Sequence, residues 1–577
     1  MTDSRPPAPR GVAWGDLPFV CLAALCAGAV LYLGRSLTFW NDEWRAITFD
    51  GAWSDYLRPV NEHWTTLPLL AYRATFRLAG LESYLPYLAQ VVVLHAVAAG
   101  GVYVVARRRL GRLLATLLAI PLLLLGSGAE NLFWAFQTSF VGSVAFGVWA
   151  IVVVEQRGRW AALASSGLLL ASLMCSGIGL VFVVAASVRT LLDPTCRRRA
   201  LAVVPPLAVY VAWYAWAGHA PVEARHVAPA VEIGRFVWRG VSHSTAAVTG
   251  LNRLPGGATV AGVAVLAALV ALGWLALTRR PRPLATAALV ALVALYVLAG
   301  SVRAHLDFDY ATVSRYVYVA GFLLALALAD ALEPLRERTA AGLGRRLPWV
   351  VVVGVGCALV TLANLGPLRA GRDGLLDQAD RSRAFITFAK EYHGEPWVDP
   401  RSGYGVMPPV PSLVALLEAH GTPAPDTFFP GAARMPPPAA SEAALLVLVG
   451  DRFGVERVSA SGSAPAAVEL GEVVDADVVE RDGCFLIRAA GPSASATFEG
   501  PDGVRYRLSA PRDERIVAVL GLALPPTAPL VVDVPARMPV DVVVPDIRPA
   551  TSARVRIEAA RSSSPVTVCP VRPRGDA

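Results

Sequence analysis

Charge is scarce in this chain. Only 17% of its 577 residues are Asp, Glu, Lys or Arg, and the mean hydropathy is +0.50. Soluble domains carry roughly 25% charge, so a cytosolic enzyme and a nucleic-acid factor are excluded. Lysine is nearly missing. Lys390 is the sole one, so arginine carries the net charge of +8 and the pI near 9.3. Cysteine is sparse too: seven residues with no CxxC pair exclude a disulfide miniprotein and a zinc or redox motif. No Rossmann fingerprint or P-loop occurs, and no internal repeat is found.

Long apolar runs dominate what is present. A hydrocarbon core about 30 Å thick requires roughly 20 apolar residues per helix, and on that rule the chain reads as about eleven spans. They fall at 16–34, 85–106, 112–127, 138–154, 160–175, 178–193, 200–217, 258–277, 284–301, 314–332 and 348–367. The expected fold is an α-helical polytopic membrane protein with a multi-pass location in the plasma membrane. The first run is too long for a signal-peptide core and reads as an anchor. Arginines concentrate in alternate turns: Arg107–Arg109 with Arg112, Arg157 and Arg159, Arg197–Arg199, Arg279, Arg280 and Arg282, then Arg336, Arg338, Arg345 and Arg346. The positive-inside rule assigns those turns to the cytoplasm. The N-terminus is then cytoplasmic, and everything after about residue 368 lies outside.

The boundary is expected near 369, with residues 1–369 forming the membrane domain and 370–577 an extracytoplasmic, mixed α/β and β-rich domain. The stretches 375–392 and 411–420 read as helices. Ala444–Val449, Val473–Glu480 and Leu530–Val534 read as strands, being short apolar runs broken by Gly, Pro and Asp. Cys484 and Cys569 are the two cysteines of this domain; a disulfide and two unpaired core thiols are both compatible with the sequence.

Ionisable groups at membrane depth are costly and usually mark function. Here they gather on the outer side of the spans. The first outer loop carries Trp40, Asp42, Glu43, Trp44 and Arg45, then Asn61, Glu62, His63 and Trp64. The second carries Glu130, Trp134 and Gln137; the fourth His219, Arg225, His226, Arg235, Arg239 and His243; the fifth Arg303, His305, Asp307, Asp309, Arg315 and Tyr316. The tryptophans serve equally as an interfacial belt or as sugar-stacking surfaces. Over residues 231–243, Arg235, Arg239 and Ser242 share one helical face opposite Ile233, Phe236, Val237 and Val241, the pattern of a helix lying in the interface. Arg303 has two readings, a phosphate ligand or a partner of Asp307 or Asp309.

Residues 40–125 combine Asp42-Glu43 after the first span, His63 with Pro68 following, a helix ending in Gly80, Tyr84-Leu85-Pro86, and a span closing in Arg107-Arg108-Arg109-Leu110-Gly111-Arg112. This order resembles the polyprenyl-phosphate-dependent glycosyltransferases of the GT-C superfamily, such as protein O-mannosyltransferases and the aminoarabinose transferases of lipid A. One departure is Trp64-Thr65-Thr66-Leu67, which separates His63 from Pro68 where the family has prolines directly. The resemblance implies a glycosyltransferase that moves a sugar from a polyprenyl-phosphate donor to a cell-envelope acceptor. It implies Asp42 as general base, with Glu43 and His63 beside it. Physically, an acceptor hydroxyl must lose a proton as it attacks, and the departing phosphate needs cations. Arg303, Arg315, His305 and Arg239 are the candidates for that phosphate. Trp40, Trp44, Glu62, Glu130, Trp134, Gln137 and Tyr316 are candidates for the sugar and acceptor. Two adjacent carboxylates are too few ligands to infer a metal, which leaves a divalent cation open. The expected partners are the lipid-linked donor, an envelope acceptor and the bilayer, with no nucleic acid. Two other classes fit the composition: a transporter or flippase of lipid-linked sugars, and a non-catalytic envelope-assembly protein. A transporter would show broken spans in matching halves and polar groups near mid-membrane, whereas here the polar groups cluster at one face.

Overall fold

The computed structural model describes residues 14–573 except 61, 157–158, 194–196, 218–227, 279–281, 306, 335–345, 397, 424–443 and a series of loops between 446 and 563. His219, Arg225, His226, Arg279, Arg280, Arg336, Arg338 and Arg345 lie outside the described residues. The chain divides into two compact units. One is built from Met1–Leu37 and Phe49–Leu376, the other from Thr38–Thr48, Asp377–Ala424 and Ala433–Ala577.

The first unit is helical. Its membrane-length elements include α1 (Leu17–Gly34), α4 (Leu85–Leu110), α7 (Thr138–Val154), α10 (Val204–Ala217), α12 (Gly257–Leu277), α13 (Pro283–Arg303) and α14 (Ser314–Ala331). Counting flanking turns and the long helix α15 (Arg346–Tyr392), eight described helices are long and apolar enough to cross a membrane. All eleven expected runs are helical, but three fall short. They are α5 (Arg112–Leu123), α8 (Arg159–Cys175) and α9 (Gly179–Leu192), of 12, 17 and 14 residues. In α5, Pro121 removes a backbone donor and the helix stops two residues later. A turn at Ser176–Ile178 separates α8 from α9. Local signals set the other limits. Pro18, Pro86 and Pro283 sit in the first turns of α1, α4 and α13, where their missing N–H has no helical partner to lose.

The spans have one charged end. Arg109 of α4 bonds Glu155 at 2.8 Å and Asp330 at 3.2 Å, and Arg189 of α9 reaches Glu155 at 3.3 Å and Asp193 at 2.6 Å. Asp330 also accepts from the amide of Ala285 at 3.0 Å. Asp16 pairs with Arg107 and Arg112. The network therefore ties the ends of α4, α7, α9 and α14 to the start of α13. Its four central side chains, those of Arg109, Glu155, Arg189 and Asp330, are all close to buried. The opposite ends of α7, α13 and α14 carry the candidate site.

Three further helices belong to this unit: α3 (Thr66–Ala79), the one-turn α6 (Glu130–Phe133) and α11 (Ala230–Thr249). The last covers the helix expected over residues 231–243, and its faces differ from the expectation at one residue. Arg235 and Arg239 are exposed, but Ser242 is buried. Helix α12 packs against it closely enough that Gly262 lies beside the Ser242 hydroxyl.

The second unit holds the short helix α2 (Glu43–Ile47), the C-terminal part of α15, and α16 (Val410–His420). Its β region is two antiparallel sheets. One runs β1 (Gly454–Arg457), β10 (Val540–Val543), β7 (Arg505–Ser509), β12 (Val566–Pro573), β5 (Cys484–Ala489), β4 (Ala476–Arg481), with β2 (Ser463–Pro465) on β12; the other runs β3 (Glu469–Val474), β6 (Ser495–Gly500), β11 (Ala553–Glu558), β8 (Glu514–Gly521), β9 (Leu530–Val534). Strands β3 and β4 flank Asp475, followed by β5, β6 and β7. Burial alternates along β6 and β7, and Phe498 of β6 meets Phe485 and Tyr506 of the facing sheet at 5.0 and 5.8 Å. The apolar faces thus meet as a sandwich core. Cys484 and Cys569 form a disulfide across paired strands β5 and β12 (Val566–Pro573). Leu530–Val534 is a strand as expected (β9), and Val473–Glu480 is two strands joined at Asp475, whose φ is +47°. Ala444–Val449 is not a strand: 444–445 and 447–449 are helical, a short apolar run being ambiguous by period alone.

Candidate active site

The loop before α3 is the first piece. Val60 and His63 exchange both backbone hydrogen bonds at 3.0 Å, closing a two-residue turn. Glu62 adopts φ +68° there, the left-handed conformation such turns favour. Neighbouring aromatics hold the loop. Trp64 stacks on Trp213 of α10, ring centroids 5.0 Å apart, and its indole donates to Thr66 Oγ1 at 2.7 Å. That hydroxyl donates to the Tyr56 carbonyl at 2.6 Å, and Trp213 Nε1 to the Leu57 carbonyl at 2.6 Å.

The anchored loop turns His63 inward. Its ring stands edge-on to Phe140 of α7, centroids 6.2 Å apart. A Cβ on Gly177 would stand 3.0 Å from His63 Nδ1, so the glycine at the α8–α9 turn leaves room for the imidazole. Burial, and after it the guanidinium charges of Arg303 and Arg315, lower the His63 pKa to about 4. The ring is neutral at pH 7.

Each arginine has a carboxylate partner. Arg303 Nη2, at the end of α13, lies 3.7 Å from Glu62 Oε2, and Arg315 Nη1, at the start of α14, lies 3.6 Å from Glu130 Oε1. Arg303 therefore pairs with Glu62 and not with Asp307 or Asp309. Asp307 instead accepts from the Asp309 amide at 2.9 Å, and Asp309 pairs with Arg239. The Arg239–Asp309 pair is at least half exposed, so solvent screens it.

Glu130 is held more firmly. Gln137 Nε2 donates to Glu130 Oε1 at 3.2 Å, Asn131 Nδ2 donates to Gln137 Oε1 at 3.4 Å, and the Glu130 amide donates to Ser314 Oγ at 3.3 Å. Ser314 Oγ donates onward to the Ser127 carbonyl at 3.1 Å, and the Ser127 amide donates to Asn364 Oδ1 at 3.0 Å. Burial pushes the Glu130 carboxyl up, against the opposing pull of Arg315. Tyr316 lies with its ring 5.9 Å below the Arg315 guanidinium and 6.3 Å from Phe140. Glu62, His63, Glu130, Gln137, Arg303, Arg315 and Tyr316 thus meet at one end of the bundle. Ser314, which precedes Arg315 and Tyr316 in the same sequence motif, completes this set with Gly177 and Phe140, and sequence reasoning missed the last two, since a glycine and a phenylalanine in apolar runs carry no chemical signal.

The other candidates lie elsewhere or inside. Trp134 is buried and packs at 5.4 Å on Phe136. Trp40, Asp42, Glu43 and Trp44 belong to the second unit. Within it, Glu43 Oε2 accepts from the Trp40 amide at 2.9 Å and has no exposed surface, while Asp42 retains some exposure and pairs with Arg45 at 3.6 Å. Trp44 is likewise fully buried and meets Phe39 at 6.1 Å, as a core residue would. Among the described residues, no three His, Cys, Asp or Glu side chains gather as a metal set.

No protein-family model matches the chain, and no curated protein sequence matches it. Solved structures similar to it include ArnT from Cupriavidus metallidurans bound to undecaprenyl phosphate. That likeness has 15% identity and a TM-score of 0.41, over 69% of this chain and 84% of the other. They also include the archaeal oligosaccharyltransferase AglB from Archaeoglobus fulgidus, in complex with an inhibitory peptide and a dolichol-phosphate. Here identity is 12% and the TM-score 0.39, over 66% of this chain and 58% of the other.

Proposed function

We propose that this protein is a membrane glycosyltransferase of GT-C type that transfers a sugar from a polyprenyl-phosphate donor to an acceptor outside the cytoplasm. The observation that carries the reading is the convergence of Arg303 and Arg315 on a neutral His63 at the ends of two consecutive spans. Two guanidinium forks at that depth suit a phosphate carried on a lipid. Arg303 faces one carboxylate at 3.7 Å, and Arg315 faces Glu130 at 3.6 Å with Tyr316 beside it, and both guanidinium forks keep donors for an incoming anion.

In this reading Asp42 takes the proton of the acceptor hydroxyl, whose oxygen attacks the anomeric carbon. The bond from that carbon to the phosphate oxygen breaks, and the phosphate leaves with the electron pair. Arg303 and Arg315 hold its added charge, and neutral His63 offers a ring N–H. Topology follows the arginine bias, with the N-terminus cytoplasmic, the β-rich region outside, and residues 1–369 and 370–577 as the functional halves.

The test is transfer from a synthetic polyprenyl-phosphate sugar by purified protein. Arg303→Ala and Arg315→Ala should each weaken donor binding by about 1–3 kcal/mol, a lost charge-assisted contact. Asp42→Asn should cut turnover by about 10²–10⁴-fold with donor affinity retained. Unchanged donor affinity in both arginine variants would remove the phosphate from this site. Normal turnover in Asp42→Asn and in Glu43→Gln would favour a transporter or an assembly protein.

A further inference from the structure

Any anion that binds Arg315 meets a competitor already in place. Glu130 lies 3.6 Å from the guanidinium and is fastened from two elements, by Gln137 at 3.2 Å and through its own amide to Ser314 at 3.3 Å. Gln137 restrains its carboxylate, and 24% of the side chain is exposed. Glu62, the partner of Arg303, differs: 46% of its side chain is exposed, on a tight turn. It can turn to solvent and stay charged when its arginine is taken.

A phosphate on Arg315 therefore exchanges Glu130's neighbouring cation for an anion, in a place where burial already opposes its charge. The Arg315 backbone amide still donates to the carboxylate, but no other group around it supplies a replacement charge. Gln137 and Asn131 are neutral amides, Ser314 is a hydroxyl, Tyr316 is a phenol, and His63 across the site is uncharged. Arg303 already faces Glu62 and would share the same phosphate. Asn131 Oδ1 and Ser127 Oγ, both beside this hydrogen-bonded chain, are buried with no hydrogen-bond partner among the described residues. The neighbourhood thus has acceptor capacity left over but no spare cation.

We propose that Glu130 takes up one proton from solvent when a phosphate group occupies Arg315, and that the resulting carboxyl group donates a hydrogen bond to a phosphate oxygen. This rests on the reading of Arg303 and Arg315 as the phosphate site. The proton adds to the Glu130 carboxylate, no covalent bond to the ligand forms, and the proton returns to solvent when the phosphate leaves. Donor binding is then weaker at higher pH, by up to about tenfold per pH unit, and product release is favoured by the same rise.

A phosphodiester probe that does not itself titrate near neutrality isolates the effect, and farnesyl methyl phosphate meets that need. Calorimetric titration of the full-length protein in detergent, in buffers of different ionisation enthalpy at pH 7, counts the protons taken up. The expected result is close to one proton for the wild type and a Kd that rises with pH. Glu130→Gln, similar in shape and unable to ionise, should show no uptake and a flat Kd, and should bind more tightly than the wild type at pH 8. His63→Gln should retain the uptake. Binding without proton uptake in the wild type overturns the proposal without any variant, as does uptake that persists in Glu130→Gln or vanishes in His63→Gln. A probe that binds Arg303→Ala and Arg315→Ala as well as the wild type overturns the phosphate reading itself, and the coupling with it.

Discussion

His63 should make the protein sensitive to mild acid, and the size follows from its surroundings. In an unfolded chain its imidazole has an ordinary pKa of 6.5, and in the fold burial, Arg303 and Arg315 lower it to about 4. The folded protein therefore refuses a proton that the unfolded chain accepts. The stabilisation is complete above pH 6.5 and is lost progressively as pH falls toward 4, where both states become charged. A shift of 2.5 units at 1.36 kcal/mol per unit amounts to about 3 kcal/mol at most. For a bundle of this size that corresponds to roughly 3–6 °C in the melting midpoint. Other carboxylates titrate in the same range, so the comparison is with His63→Gln. Thermal unfolding of both proteins in detergent, from pH 8 to pH 4, should give a steeper acid loss in the wild type. The two curves should separate as pH falls toward 4, the wild type dropping below the variant, because the variant has no imidazole to charge. Parallel curves would refute the placement of His63 between two cations.

The charged end of the bundle should be the more fragile structural element. Glu155→Ala leaves Arg109 and Arg189 buried without their shared anion, which typically costs about 3–5 kcal/mol and should lower the yield of folded protein, measured by size-exclusion profile. Asp309→Ala, at an exposed pair, should shift the melting midpoint by under about 1 °C. In the β region, Cys484→Ser should cost about 2–5 kcal/mol, since the disulfide closes a long loop, 85 residues apart in sequence. Protease resistance of that region should fall under reducing conditions in the wild type and be low in the variant throughout.

Much of the architecture was legible because it depends on local composition. Apolar run length located the eight described helices long enough to cross a membrane, with three of the eleven expected runs too short, and Gly, Pro and Asp punctuation found β9 and a run that straddles the junction of β3 and β4. Misreadings came where length or period was ambiguous. Pro121 shortened α5 within an apolar run that continues past it, and Ala444–Val449 is helical although its composition suits a strand. Glu62, His63, Glu130, Gln137, Arg303, Arg315 and Tyr316, all named from sequence as exceptional polar groups beside spans, are brought together at one end of the bundle.

Who partners whom was decided only by the tertiary structure. Glu62 with Arg303, and Glu130 with Arg315, join loops that are far apart in the chain, while the nearer acids Asp307 and Asp309 are occupied by a backbone amide and by Arg239. The segment with Asp42 and Glu43, which follows the first span directly, packs within the same compact unit as the C-terminal β region. Ser242 shares a helical face with two exposed arginines and is nonetheless buried, because α12 crosses that face. Apolar length and turn chemistry act between neighbours in sequence, so one chain suffices to read them. Ion pairing and burial depend on which elements pack together, and that is fixed by the sum of many weak contacts across the whole bundle, which no local pattern records.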